Sequence, residues 1–217
     1  MSEENGVIYR ISGPVVTAVG ISPRMYEVVR VGDEGLMGEV IELHGEQSVI
    51  QVYEETSGVR PGEPVIRTGQ TLSVQLGPGL LTKIYDGIQR PLPELEKTMG
   101  VFIKRGVDAD GLDLEKIWEF NATVKAGDSI SSGDVLGTVQ ETKTIEHRVM
   151  VPPGTSGVIK SINSGEFNVT QTICTLEDGT DIQMMQKWPV RTPRPFTKKH
   201  APEVPLQTGQ RILDFLF

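Results

Sequence analysis

Short apolar runs, each cut off by glycine, proline or an aspartate turn, constrain this chain more than any other feature. Val7-Ile8-Tyr9 and Val15–Val19 flank Ser12-Gly13-Pro14. Tyr26–Val31 leads into Gly32-Asp33-Glu34-Gly35, Leu36–Leu43 ends at His44-Gly45-Glu46, Ser48–Tyr53 follows, and Gly62-Glu63-Pro64 closes the set. Short strands with turn signals at this spacing predict a small closed six-strand-like β-barrel over residues 1–70. Closure would also leave no exposed sheet edge. The 24 glycines and 14 prolines in 217 residues carry the same preference for short strands through the rest of the chain.

Residues 71–110 change character. The apolar alternation of Leu72–Leu76 meets Gly77-Pro78-Gly79, and Leu80, Leu81, Ile84, Tyr85 and Ile88 then follow at helical spacing until Pro91. This predicts a strand, a sharp turn and a short helix. Pro93 to Gly100 predicts a second short helix, started by proline and ended by glycine. Residues 111–187 open with an amphipathic helix candidate, Leu112–Phe120, and return to strands. Gly127-Asp128 and Gly133-Asp134 form an internal echo, Val151-Pro152-Pro153-Gly154 precedes another strand, and Glu177-Asp178-Gly179-Thr180 reads as a hairpin turn. The echo is similar to the biotinyl/lipoyl half-barrel, so this stretch is expected to form an inserted β-rich lobe of barrel-sandwich type. Residues 188–217 hold five prolines between 189 and 205 and end in TGQRILDFLF. They predict a semi-rigid connection followed by the start of a helix. The expected fold is mainly β, with few short helices.

A formal charge of −8 argues against a general nucleic-acid or anionic-membrane binder. Cys174 is the only cysteine, which precludes an internal disulfide; its strand-like setting predicts a buried structural thiol. No apolar stretch is long enough to span a bilayer, and MSEENG lacks the features of a signal peptide. The expected location is cytoplasmic, without direct membrane insertion.

Chemical motifs are sparse. A phosphate loop requires a Gly-Lys step opening a helix, and no Gly-Lys pair occurs in the chain. The glycine clusters Gly32/Gly35/Gly38 and Gly77-Pro78-Gly79 are expected to be turns. Alignment with carrier domains places Thr144, with Lys143 beside it, where a biotinyl or lipoyl lysine would stand. The flanking residues of either modification site are missing, so Lys143 is expected to be an ordinary exposed lysine. His44, His147 and His200 lack metal-ligand spacing, and Glu146-His147-Arg148 reads as polar strand positions. The acidic pairs Asp33/Glu34, Glu54/Glu55 and Asp108/Asp110 are expected to be solvated loop carboxylates. No catalytic, cofactor-binding or metal-binding residue is assigned.

The strings VGDEGLMGEVIEL (Val31–Leu43), QVYEETSGVRPGEPV (Gln51–Val65) and LSVQLGPGLLTKIYDGIQRPL (Leu72–Leu92) resemble the N-terminal portion of the catalytic A subunit of archaeal A-type and vacuolar-type rotary ATPases. The likeness runs in order from Asn5–Val19 through Gly111–Val190 to the final ten residues. It implies a barrel that joins B-type subunits in an alternating hexamer and an outward lobe, residues 111–187, that meets the peripheral stalk. It also implies that residues 188–217 lead into a nucleotide domain where the full-length protein binds Mg-ATP and couples ATP synthesis or hydrolysis to H+ transport. This chain itself is expected to need no cofactor. A stand-alone assembly or regulatory module and a carrier domain are the alternatives.

Overall fold

The computed structural model describes residues 5–100, 104–194, 196 and 198–216. Six strands come first: β1 (Gly6–Ser12), β2 (Val15–Val19), β3 (Glu27–Val31), β4 (Leu36–His44), β5 (Gln47–Val52) and β6 (Pro64–Thr71). They close into an antiparallel barrel in the order β1-β2-β5-β4-β3-β6, with Gly6 opposite Val65 and Val7 opposite Pro64 at the seam. The seam depends on glycine: a Cβ on Gly6 would lie 1.9 Å from Ile21 Cγ2 and 2.7 Å from the Val19 carbonyl oxygen. Alternation along the strands turns Ile8, Val16, Ala18, Val29, Val31, Leu36, Val40, Ile50 and Val65 into one aliphatic core. Burial of such side chains contributes about 1.5–3 kcal/mol each. The barrel expected from the turn spacing is therefore present.

After the barrel comes β7 (Ser73–Leu76), followed by a long irregular passage and the helix α1 (Leu92–Met99). The helix expected over Leu80–Ile88 does not form. Thr82 and Gln89 both have φ of 66°, which no continuous right-handed helix accommodates. The backbone N–H groups are bonded elsewhere: Ile88 and Arg90 donate to the Asp86 carboxylate at 3.1 and 2.8 Å. Tyr85 forms an isolated bridge with Pro91 instead.

The lobe begins with β8 (Trp118–Ala122), β9 (Ser129–Ile130), β10 (Val135–Gln140) and β11 (Glu146–Met150). It continues with β12 (Gly157–Ile162), β13 (Gly165–Phe167), β14 (Thr172–Leu176) and β15 (Asp181–Gln183). The helix candidate Leu112–Phe120 is another correction. The Asp113 carboxylate bonds the backbone N–H groups of Glu115 and Lys116 in a local turn, and Trp118–Ala122 pairs with strands on both sides. Two four-stranded sheets, β11-β10-β8-β13 and β15-β14-β12-β9, enclose Phe120, Leu136, Ile159, Val169, Ile173, Cys174 and Leu176. The Cys174 thiol is buried as expected, and burial, with Asp181 nearby, raises its pKa.

The Gly-Asp echo is a structural repeat. Asp128 accepts from the Lys125 N–H and Asp134 from the Ser131 N–H, both at 2.8 Å. The Asp128 and Asp134 carbonyls accept from Ile159 and Val151, and the Gly127 and Gly133 N–H groups donate to the carbonyls of those same two residues. The chain leaves the lobe through β16 (Gln186–Pro189), which pairs with β7, and crosses an exposed proline-bearing stretch to α2 (Arg211–Leu216). Ile212, Leu213, Phe215 and Leu216 are 48–90% exposed. Among the described residues no helix is long and apolar enough to cross a membrane.

Candidate functional site: the joint between barrel and lobe

Charged side chains converge where the passage and the exit strand meet the barrel. Glu39, buried in β4, receives two bonds from the Arg191 guanidinium, Nε at 3.0 Å and Nη2 at 2.6 Å. The Tyr53 hydroxyl donates to the same carboxylate at 2.8 Å, and Arg191 stacks 4.2 Å over the Tyr26 ring. Burial would raise the Glu39 pKa, but the bonds from Arg191 and Tyr53 outweigh it and hold the carboxylate below its ordinary value. Burial, together with the same contact, pushes Tyr53 up to about 12. Arg191 thus straps the exit strand to the barrel wall immediately after β16.

A second cluster holds the passage. Arg90, 7% exposed, donates from Nε to Asp86 at 2.7 Å and from Nη1 to the Val107 carbonyl at 2.8 Å, and lies 3.6 Å from Glu54. Asp86 is held below its ordinary pKa because these bonds overcome its burial. The acidic pairs expected to be solvated loop carboxylates are in part anchors for this segment. Glu34 pairs with Arg105 at 2.8 Å, Glu54 accepts the Gly106 N–H at 2.8 Å, and Asp108 pairs with Arg30 on β3. Gly106 passes so close to the barrel that a Cβ there would meet the Glu34 carbonyl oxygen at 2.0 Å. Asp33 and Glu55 have no such role; the Glu55 carboxylate only accepts the Ser57 hydroxyl.

Gln75 forms the neck of the lobe. Its backbone exchanges two hydrogen bonds with the Gln89 side chain, at 2.6 and 2.7 Å. Its own side chain donates to Asp110 at 2.7 Å and accepts the Leu112 N–H at 3.0 Å. Lys187 sits opposite it in the β7–β16 ladder. The entering and leaving chains of the lobe therefore meet at one residue. Tyr85 adds a bond to the Gly111 carbonyl at 2.9 Å. Between the barrel and this neck lies a cleft of about 360 Å³, lined by Val28, Arg30, Gln70, Asp108, Asp110 and Lys187 among others.

The remaining candidates stand apart. Lys143 and Thr144 lie at the exposed β10–β11 turn. His44 contacts only Glu42, and His147 lies 3.5 Å from Glu141 with its pKa lowered by burial, which Glu141 partly opposes. His200 is exposed in the connection. Neither glycine cluster fits Mg-ATP: Gly38 packs in the barrel with its Cβ position 2.6 Å from Ile50 Cγ2, and the amides of Gly79 and Leu81 already bind the Glu141 carboxylate. The joint residues carry no motif; only the acidic pairs gave a sequence signal, and their partners lie 52–78 residues away.

A closed six-stranded barrel, followed by a double-sheet lobe hung on a two-chain neck, defines a two-module member of the ATP synthase alpha/beta architecture. Residues 8–69 match the ATP synthase alpha/beta family β-barrel domain, and residues 109–191 match the ATP synthase alpha/beta barrel-sandwich domain. Over 215 residues, 99% of the chain, it is 62% identical to the A subunit of the A-type ATP synthase of Methanosarcina barkeri. It is 63% identical over 213 residues to the protein of that name from Methanoculleus marisnigri, and 58% identical over 215 residues to that of Natronomonas pharaonis. The chain spans 36–37% of the length of these relatives. The chain belongs to the family of A-type ATP synthase A subunits and corresponds to their N-terminal portion.

Proposed function

We propose that this polypeptide supplies the assembly portion of the catalytic A subunit of a proton-translocating rotary ATP synthase. The observation that carries the reading is near-complete coverage of the chain, at 62% identity, by a protein of that name. The architecture supports a division of labour. The barrel would join alternating B-type subunits in a hexameric ring, and the lobe would meet the peripheral stalk against which torque is exerted. Mg-ATP would bind outside the residues described, so no step of phosphoryl transfer belongs to them. In the assembled complex the chain would be cytoplasmic and peripheral to the membrane.

The neck dictates how the lobe reading is tested. Leu112 and Gln186 flank the lobe, and both lie beside Gln75 or its strand, so Leu112–Met185 can be replaced by a short linker that leaves β16 paired with β7. Within the full-length protein, that deletion should release the stalk components on purification while the hexamer still hydrolyses ATP. Retention of the stalk at wild-type stoichiometry would refute the role given to the lobe.

A further inference from the structure

The side-chain hydrogen bonds that tie the lobe to the rest of the chain, among the described residues, fall into two groups. One is the neck around Gln75. The other lies at the far end of β10, where Glu141 reaches out of the lobe to the Gly77-Pro78-Gly79 turn. Its Oε1 accepts the Gly79 N–H at 2.7 Å and the Leu81 N–H at 3.1 Å, and its side chain is only 5% exposed. We propose that Glu141 is a latch: gripping two amides of the Gly-Pro-Gly turn, it fixes the angle of the lobe on its neck, and its release turns the neck into a hinge.

Three observations support this. The gripped segment is a turn with no regular secondary structure of its own. Gly79 has φ of +107° and Thr82 of +66°, so these amides have no helix or ladder to return to. The turn is also the floor of the lobe: Leu80 and Met185 pack against the lobe core, and a Cβ on Gly79 would come within 3.2 Å of the Trp118 ring. Lastly, the seam is incompletely bonded. Trp118 Nε1 is buried without a hydrogen-bond partner among the described residues, whereas buried indole N–H groups ordinarily have one. The charged and titratable groups facing Glu141 are His147 of β11, 3.5 Å away, and Tyr85 of the passage, whose pKa Glu141 helps to raise after burial. A carboxylate with two amides on one oxygen, a histidine beside it and a hinge behind it can hold the lobe without being part of its core.

Amide hydrogen exchange on the 217-residue chain tests the latch, with Glu141→Ala and Glu141→Gln compared to the unaltered protein. In Glu141→Ala the Gly79 and Leu81 amides should exchange about tenfold faster or more. Barrel amides such as Val16 and lobe-core amides such as Leu176 should keep their protection, and residual dipolar couplings should report a changed or averaged lobe orientation. Glu141→Gln keeps a carbonyl acceptor at the same reach, so it should restore most of the protection at Gly79 and Leu81. Unchanged exchange at the two amides, or an unchanged lobe orientation, overturns the proposal. So does loss of protection throughout the lobe core in Glu141→Ala, because Glu141 would then be needed for the lobe to fold.

Discussion

The barrel and the lobe are both antiparallel β-structure of similar strand length, yet they solve the sheet-edge problem differently. The barrel joins β1 to β6 and has no free edge, and its core is aliphatic, mainly valine and isoleucine. The lobe keeps two open sheets with β11, β13, β15 and β9 at the edges, and it needs larger side chains, Phe120, Trp118 and Met184, to span the gap between them. Glycine serves each differently. At Gly6 it closes a seam; at Gly137 it makes room for an aromatic, since a Cβ there would lie 2.5 Å from the Phe120 ring. A cylinder is filled from within by small branched residues. A sandwich is filled by a few large ones, and each of those carries more of the stability.

Core truncations should break this comparison open most strongly. Phe120→Ala should cost the lobe about 3–5 kcal/mol and unfold it in a separate early denaturant transition while barrel amides stay protected. Loss of both modules together would show that they fold as one unit. Leu36→Ala should cost the barrel about 2–5 kcal/mol, with the order of the two transitions brought closer or reversed.

The pH response should separate the modules next. The folded-state pKa values of Glu27, Glu39 and Asp86 are depressed despite their burial. Their contribution is therefore complete above the ordinary carboxylate values of 4.5 and 3.8 and is lost as pH falls below them. His147 is also depressed, by burial, so its contribution to the lobe is complete above 6.5 and declines as pH falls below that value. Thermal melts followed by module-specific amides should accordingly show the lobe weakening first on mild acidification and the barrel side only in stronger acid. His147→Gln should flatten the first phase alone.

A smaller effect is expected at the strap. Arg191→Ala leaves Glu39 buried with only Tyr53 as a side-chain donor, so exchange should rise at Val190 and along β16 with little change in the barrel core. The smallest concerns Cys174, buried with a raised pKa. Its alkylation should be negligible in the native chain and become rapid only when the lobe opens, which makes it a clean clock for the Phe120→Ala comparison.

Where turn residues punctuate apolar alternation, the sequence was informative, because local chemistry and final structure agree. The six barrel strands, α1, the Gly-Asp repeat and the buried Cys174 follow from spacing and residue type. The failures lie at Leu80–Ile88 and Leu112–Ile117. There the apolar spacing fits a helix, but Asp86, Asp113, Glu141 and Gln89 bond backbone amides or adjoining strands that a helix would need free. The joint was illegible for the same reason. Glu39 with Arg191, Glu54 with Arg90, and Gln75 with Asp110 are pairs of ordinary polar residues far apart in the chain. The sequence by itself determined the β class, the modules and the family likeness. Only the tertiary structure decided which carboxylates leave water, because a side chain's hydrogen-bond partner is set by which distant strands the fold brings within about 3 Å.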